Sequence, residues 1–412
     1  MTDTVTGVPA GFDFTDPDLY VERVPVEEFA ALRRVAKPFW NPQTVEGSGF
    51  TDGGFWAISR HEDVKTISAD RDRFSSEEKT AIIKFGGAMA DPGAMDVLRL
   101  LLINMDAPQH TKIRGIISRG CFTPRAIAKL EDILRERAVR IVAEAKAKGE
   151  GNFVEDVACE LPLQAIADLV GFPQEDRKKV FEWSNQMIGM DDPDYTADPA
   201  VIAAELLGYA YEMGESRKAC PMDDIATRLV QADVDGHSLS AEEFGYFVMI
   251  LAVAGNETTR NAITHGMHAF LTNPDQWKLW VEERPDTMVD EVIRWASPII
   301  VFQRTAINDT MVGDQLVKAG QRVGLFYSSA NYDEDVFEDA HTFNILRDPN
   351  PHLAFGGHGA HYCIGANLAR QEIRLIFDAL ADHVPGIHLV AEPRRLRHGW
   401  VNGIKEMQVA YA

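Results

Sequence analysis

Apolar residues recur every three or four positions over long parts of this chain, which is the spacing of helices that bury one face. The longest such pattern covers 241–272, and Ser240-Ala-Glu-Glu243 supplies the capping-box sequence of a helix start just before it. A mostly helical molecule is therefore predicted. The predicted helices are 126–148, 161–170, 200–217, 241–272, 274–284, 287–295 and 365–383.

Segments with strand character are short, and they are rich in β-branched and aromatic residues. Segment 81–95 contains Gly86-Gly87 and Asp91-Pro92-Gly93, which favour a long loop over any regular element. The pattern as a whole predicts a mainly α fold with a small β region. The predicted strands are 54–59, 301–306, 310–312, 317–326, 387–390 and 407–411.

The net charge of the chain limits the classes of partner that it can bind. The 412 residues include 63 Asp and Glu but only 41 Lys and Arg, so the formal net charge is −22. This charge repels phosphate backbones and anionic headgroups, and no apolar run approaches the ~20 residues that span a bilayer. We expect no nucleic-acid partner and no membrane anchor. Because no linker or repeat interrupts the composition, we also predict a single domain over 1–412.

Four cysteines lie far apart in the sequence, at positions 121, 159, 220 and 363. Their spacing favours neither a disulfide framework nor a structural zinc site. We therefore expect a reducing, cytoplasmic location.

One cysteine stands out by its context, because a glycine-rich loop delivers Cys363 to the start of the helix predicted at 365–383. The loop runs Phe355-Gly-Gly-His-Gly-Ala-His-Tyr-Cys-Ile-Gly365. Glycines allow close approach to a bulky group, and a helix N-terminus favours a thiolate. The pattern suggests a sulfur ligand for a metal. A buried free cysteine and a zinc site with His358 and His361 are the alternatives, although no fourth zinc ligand is near.

The predicted helix 241–272 carries an acid and two hydroxyls, Glu257-Thr-Thr259, within an otherwise apolar stretch that also contains Gly255. A threonine that bonds back to an earlier carbonyl can bend a helix and open a groove beside it. Glu257 and Thr258 are therefore candidates for a proton relay. The alternative is a surface acid beside a threonine that is satisfied by its own backbone.

Two further groups of charged residues carry little information alone. Glu291 and Arg294 lie three residues apart on one helical face, and Arg347 could reach the same carboxylate. A second group could form a cationic cluster that binds a pair of carboxylates. It consists of His110, Arg114, Arg304 and His361.

In this order, the four features resemble the cytochrome P450 family of haem-thiolate monooxygenases. The resemblance implies the P450 fold, a haem b cofactor and O2 as co-substrate. It makes Cys363 the iron ligand, with Gly357 and Ala254 beside the haem. Thr258 would hydrogen-bond the bound oxygen, and Glu257 would relay protons. The loop departs from the family pattern at one place, since Gly356 stands where an aromatic is usual and Phe355 comes one residue earlier.

For the remaining groups, the resemblance implies a structural triad and a set of haem-propionate ligands. The triad is Glu291, Arg294 and Arg347. The propionate ligands are His110, Arg114, Arg304 and His361.

Nearly the whole chain resembles, within that family, the actinobacterial steroid 26-monooxygenases. Examples are Asn104-Met-Asp-Ala-Pro108 and Gly399-Trp-Val-Asn-Gly-Ile404, whereas Cys121 looks like an inserted residue. The resemblance implies hydroxylation of the terminal methyl (C26/C27) of the cholesterol or cholest-4-en-3-one side chain. Methyl-branched fatty acids or other terpenoids are alternative substrates, and a non-catalytic haem-thiolate sensor is an alternative of another class.

Attack on a terminal methyl requires an apolar funnel that presents only the chain end. We expect contributions from the apolar run 97–103 and from five further residues near the iron. These are Val253, Ala254, Ile299, Phe302 and Trp400.

Electrons are expected from a ferredoxin and its reductase, because the chain has no flavin, nicotinamide or iron–sulfur fingerprint. Segment 112–140 has eight Lys or Arg and three Asp or Glu. A local excess of positive charge in an acidic protein suggests a docking face for an acidic ferredoxin. An ordinary solvated helix face is the alternative.

Overall fold

Helices form most of the structure, a computed structural model that describes residues 7–9, 11–85, 93–118, 121–232 and 239–412. The mainly α prediction is confirmed. The helices are α1 Pro17–Glu22, α2 Val26–Val35, α3 Val45–Ser48, α4 His61–Ala69, α5 Ala94–Leu98, α6 Gln109–Ser118, α7 Pro124–Ala128, α8 Glu131–Lys148, α9 Glu160–Val170, α10 Arg177–Ile188, α11 Pro199–Ala219, α12 Ile225–Val230, α13 Ala241–Thr272, α14 Pro274–Glu283, α15 Met288–Ala296, α16 Tyr327–Ala330 and α17 Ala366–His383.

Six of the seven predicted helices lie within two residues of the observed bounds, and α13 matches residue for residue. Ser240 and Glu243 form the predicted capping box. The helix predicted at 126–148 is wrong as one element. Hydrogen bonds between residues three apart, from Lys129 N to Ala126 O and from Leu130 N to Ile127 O, end α7 before α8 begins.

The strands are short. They are β1 Phe39–Pro42, β2 Gly54–Ile58, β3 Phe74–Ser75, β4 Glu150–Asn152, β5 Val301–Ala306, β6 Thr310–Val312, β7 Gln315–Val317, β8 Arg322–Phe326, β9 His388–Leu389, β10 Arg394–Arg395, β11 Ile404–Glu406 and β12 Gln408–Ala410. The largest sheet has the strand order β1-β2-β8-β5-β3. The strand predicted at 317–326 is wrong as one element, because a turn with Gly320 at φ +78° separates β7 from β8.

The centre of the molecule is α13, against which α9, α10, α11, α15 and α17 all pack. Most of its buried apolar residues belong to an apolar cluster that extends from Leu102 to Tyr411. Between helices, the π-helical turn Val154–Ala158 leads into α9. This packing places the polar residues of α13 in the interior, where each needs a partner.

Part of the predicted loop 81–95 is described. Ile83 is buried and α5 begins at Ala94, whereas 86–92 lie outside the described residues. Within the described parts of the chain, no helix is long and apolar enough to cross a membrane.

Candidate active site

The loop before α17 places Cys363 by backbone hydrogen bonds. The Cys363 N–H donates to the Phe355 carbonyl over 2.9 Å. Gly357 has φ +67° and Gly359 has φ +112°, and a Cβ at Gly359 would come within 2.5 Å of the Ser68 carbonyl. The loop therefore needs glycine at 359 because it packs against the backbone of α4. Gly357 also packs against Ser68.

Phe355 lies beside the aromatic ring of Tyr362, with the ring centroids 6.1 Å apart, and the Arg370 guanidinium stands 4.6 Å from the Phe355 ring. Gly356 has φ +94°. A residue with a side chain would be strained there, so the aromatic of this loop cannot occupy position 356 without a change in the backbone.

The thiol of Cys363 is subject to opposing effects. Burial raises its pKa, whereas the Gly365 N–H and the nearby Arg114 and Arg370 guanidinia lower it by less. The helix start thus favours the thiolate as expected, but the net shift is upward. A directly bound cation would be needed to hold this sulfur as an anion.

The Cys363 side chain is accessible although it belongs to the protein interior. A similar opening occurs on α13, where Ala254 is exposed and Gly255 and Thr258 are half-buried amid buried neighbours. Ala254 and Thr258 are four residues apart and share one helical face. That face of the central helix meets open space, which is the property of a cavity wall.

A cationic cluster forms next to the Cys363 loop. Arg114 donates to the Tyr362 carbonyl, and the His110 and His361 rings stand 4.1 Å apart. Arg304 is buried and donates to the Gln303 carbonyl over 2.7 Å. Among the described residues, no carboxylate forms an ion pair with Arg114 or Arg304.

The two histidines of this cluster are neutral at physiological pH. Burial and the Arg114 charge lower the pKa of His110 to about 4. Burial, followed by the charges of Arg304, His110 and Arg114, lowers the pKa of His361 to about 2. The cluster therefore carries the two positive charges of its arginines, which would suit two carboxylates of a bound group.

On α13, the Thr258 hydroxyl donates to the Ala254 carbonyl over 2.8 Å. Glu257 is buried, so it is not the surface acid of the alternative interpretation. Its carboxylate forms a close ion pair with Arg260 and accepts a 2.9 Å bond from Asn261. Thr258 thus lines the accessible face, while Glu257 is held beside it.

The Glu291 carboxylate is buried and fully bonded. Arg294 donates to both of its oxygens over 2.8 Å, and Arg347 donates over 3.0 Å. The Asn344 N–H and the Asn350 side chain also donate to it. This arrangement ties α15 to the segment that precedes the Cys363 loop.

Apolar side chains gather beside the accessible face. Val253 packs in a cluster with Ile299 and Trp400, and the Phe302 and Trp400 rings stand 5.8 Å apart. By contrast, Val97 and Leu100 of the run 97–103 line a separate surface cavity of about 370 Å³, next to Tyr211 and Tyr246. Sequence reasoning missed Met187, Ile188, Tyr195 and Leu396, which pack in the same cluster.

The comparisons with known proteins agree with this geometry. A family model described as Cytochrome P450 matches residues 286–381. The chain is 59% identical to a Steroid C26-monooxygenase of Rhodococcus jostii, over 98% of this chain and 85% of that protein.

This chain belongs to the cytochrome P450 family.

More distant members share the fold and much of the sequence. A Methyl-branched lipid omega-hydroxylase of Mycobacterium tuberculosis is 41% identical over 93% of this chain and 90% of that protein. A Mycobacterium marinum cytochrome P450 solved in complex with pseudoionone superposes with a TM-score of 0.90 at 33% identity, covering 100% of this chain and 99% of that one. The P450 fold predicted from the sequence is confirmed.

P450 enzymes use haem and O2 and receive electrons from redox partners, and the residues present here fit a haem. Cys363 offers an accessible sulfur. Arg114 and Arg304 supply two guanidinia without an ion-paired acid in the described part of the chain. The zinc alternative lacks support, since no group of three potential metal ligands occurs among the described residues.

The basic segment 112–140 is not one cationic surface. Arg114 is directed inward to the Tyr362 carbonyl, Arg135 pairs with Glu131, and Arg137 pairs with Asp168. Arg125 and Lys129 of the α7 region are exposed. Because several of these side chains bond within the protein, the exposed positive charge of this segment is smaller than its residue count indicates.

Cys121 is buried in the largest apolar cluster, and its N–H bonds to the Ile117 carbonyl. Residues 119 and 120 lie outside the described residues. Nothing in the structure assigns Cys121 a function.

Proposed function

We propose that this P450 hydroxylates the terminal methyl (C26/C27) of the side chain of cholesterol or cholest-4-en-3-one. The observation that carries the proposal is the apolar cluster of Val253, Ile299 and Trp400 at the accessible face of α13. An apolar site next to the reacting centre suits a hydrocarbon chain end. The 59% identical relative described as a Steroid C26-monooxygenase supports the same substrate class.

In this proposal haem b supplies the oxygen chemistry when bound, inserting one oxygen atom of O2 into a C–H bond while the other leaves as water. The Cys363 sulfur would bind the iron, and Gly357 would belong to the loop around that sulfur. Arg114, Arg304, His110 and His361 would hold the propionates. Ala254 would lie against the macrocycle.

Proton delivery would depend on α13. The Thr258 hydroxyl donates its proton to the Ala254 carbonyl one turn earlier, so its oxygen would be left to act as an acceptor. Glu257, the preceding residue, would pass protons from the protein interior towards Thr258. The apolar cluster would keep bulk water away and orient the chain end, which selects the terminal methyl over weaker C–H bonds.

Electrons would come from a ferredoxin and its reductase. Arg125 and Lys129 are exposed. They lie near the start of α17, as is shown by the hydrogen bond from Asn367 of α17 to the Phe122 carbonyl just before α7. Positive charge close to Cys363 suits an acidic partner. These two residues, and not the whole of 112–140, form the proposed docking charge.

We also propose a single domain over 1–412 in the cytoplasm. All four cysteines are unpaired, and Cys121 and Cys159 are buried. Unpaired cysteines suit a reducing compartment.

A methyl-branched lipid is the second candidate substrate, which the 41% identical omega-hydroxylase favours. Both substrates end in a branched chain, so the same apolar cluster serves either. A sensor without turnover would have no use for a hydroxyl at the accessible face of α13 with a buried acid beside it.

The test is product analysis with a ferredoxin, its reductase and either cholest-4-en-3-one or a methyl-branched fatty acid. We expect the sterol to give a terminal alcohol, identified by mass spectrometry, with a higher kcat/KM than the fatty acid. Trp400→Ala should spread oxidation to neighbouring carbons, whereas Trp40→Ala on β1 should not. Ring hydroxylation, or a preference for the fatty acid, would overturn the sterol proposal.

A further inference from the structure

Besides the residues that line the cavity, α13 carries a group of buried polar residues that faces α10. Glu257 is 2% exposed and Arg260 is 3% exposed. They lie three residues apart and form a close ion pair. Removing two charges from water is costly unless both are well bonded, so the other contacts of this pair decide what it does.

The two oxygens of the Glu257 carboxylate have different surroundings. Oε1 accepts from both Arg260 and Asn261. Oε2 is buried and has no hydrogen-bond partner among the described residues. One oxygen is therefore fixed, and the other is available to take and release a proton.

Arg260 is itself held from α10. Its Nη1 donates to Asn185 Oδ1 over 2.8 Å, and its guanidinium carbon lies 5.6 Å from the centroid of the Phe181 ring. Since Phe181 and Asn185 are one turn apart on α10, the guanidinium is fixed by two helices. The position of α10 thereby sets the position of the Glu257 carboxylate.

We propose that Arg260 is a positioning residue for proton delivery, which orients Glu257 through Oε1 and leaves Oε2 for transfer, with Asn185 of α10 fixing Arg260. The inference rests on the proposed role of Glu257 in the monooxygenase reaction. Among the described residues, the hydrogen bonds of the Arg260 guanidinium go to Glu257 and Asn185, and not to the apolar side chains of the substrate cluster. Arg260 should therefore affect how efficiently electrons give product, and not how tightly sterol binds.

A lysine can keep the charge opposite Glu257, whereas a methionine of similar length cannot. Loss of the charge leaves a carboxylate buried without a cation, which favours its neutral form or a turned side chain. Either change disturbs the delivery of protons. The lysine variant separates this effect from a general loss of packing.

The experiment uses the holoenzyme with its redox partners and measures product formed per NADH consumed, together with the sterol Kd from spectral titration. For Arg260→Met we expect product per NADH to fall roughly tenfold, less than the full effect of a lost general acid–base group, at unchanged sterol Kd. Arg260→Lys should restore most of it. Arg217→Met, which breaks the buried ion pair between Arg217 of α11 and Asp224 at the start of α12, is the matched control and should leave the ratio unchanged.

A readout without turnover comes from thermal unfolding. Because Glu257 is the ion partner, the Glu257→Gln and Arg260→Met double variant should recover part of the Tm that Arg260→Met alone loses. Asn185→Ala, a milder change, should lower product per NADH with little loss of Tm.

Equal product per NADH in Arg260→Met and wild type, or a failure of Arg260→Lys to restore it, would overturn the inference. If Asn185→Ala leaves the ratio unchanged, the link to α10 is wrong. The proposed relay fails separately, when Glu257→Gln itself keeps the wild-type ratio, and the sterol proposal fails separately on the identity of the wild-type product.

Discussion

Two buried carboxylates of this P450 have contrasting surroundings. Glu291 accepts five hydrogen bonds, from Arg294, Arg347, Asn344 and Asn350, and both of its oxygens are satisfied. Glu257 accepts on one oxygen only, and its other oxygen is buried without a partner in the described residues. A fully bonded charge fixes structure, whereas a buried charge with spare capacity is where proton chemistry can occur.

The largest effect should come from Glu291→Gln. Four donors would lose a charged acceptor in the interior, which costs about 3–5 kcal/mol of unfolding free energy or prevents folding. Urea unfolding of the holoenzyme measures it. Glu215→Gln, at an exposed pair with Lys218, should cost about 1 kcal/mol or less. Similar losses in the two variants would contradict the structural role of Glu291.

For Glu257→Gln we expect activity to fall much more than stability. Fewer bonds are lost, so we expect a stability cost of about 1–3 kcal/mol. The rate of product formation should fall by about a hundredfold, the lower part of the range for general acid–base catalysis. Steady-state kinetics and urea unfolding of the same sample compare the two effects. A larger loss of stability than in Glu291→Gln would break the contrast.

Arg304→Leu tests the cationic cluster next to the Cys363 loop, where this buried guanidinium has no ion-paired carboxylate among the described residues. Removal of one charge-assisted bond to a haem carboxylate costs about 1.5–3 kcal/mol, or roughly 10- to 100-fold in affinity. Transfer of haem to excess apomyoglobin measures the loss. Arg284→Leu, near the end of α14, serves as the control and should release haem at the wild-type rate. Unchanged transfer in Arg304→Leu would remove this residue from the haem site.

A small, pH-dependent effect is expected at Asp290. Although burial would raise it, hydrogen bonds from His352 and Arg370 hold the pKa of Asp290 down to about 2. Since this value lies below the unfolded one, the stabilisation is present above pH 4 and disappears as the pH falls towards 2. The carboxylate is partly exposed, so its worth is about 1 kcal/mol or less.

Urea unfolding of wild type and Asp290→Asn at pH 7 and pH 3 measures that effect. The difference between the two proteins should be smaller at pH 3. For fully exposed Asp286, which pairs with Arg374, Asp286→Asn should show no such change. A constant difference for Asp290→Asn would contradict the assignment.

Periodicity predicted six helices, α9, α11, α13, α14, α15 and α17, because each buries a regular apolar face. It could not place the break between α7 and α8 or the turn at Gly320, since apolar spacing continues across both. At these two places local hydrogen bonds and turn geometry, and not the apolar pattern, end the element. Two further helices were missed: α1, which has only six residues, and the 12-residue α10, although its buried Val180, Trp183 and Ile188 do follow helical spacing.

The sequence predicted those site residues whose type and local context are distinctive. Cys363 in its glycine loop and Glu257 within an apolar helix were visible in the sequence. The distribution of positive charge over segment 112–140 was not predictable, because Arg114 and Arg137 bond to groups distant in sequence. Arg260 was also missed, although a charge three residues after Glu257 in an apolar helix is a signal that could have found it.

The most direct test of this account is the absorption spectrum of the reduced protein with carbon monoxide. Wild type and Cys220→Ala, which changes an exposed cysteine, should both show the red-shifted Soret band of thiolate-ligated haem, and Cys363→Ala should lose it. A wild-type spectrum without that band, or an unchanged band in Cys363→Ala, would contradict the assignment of Cys363 as the iron ligand.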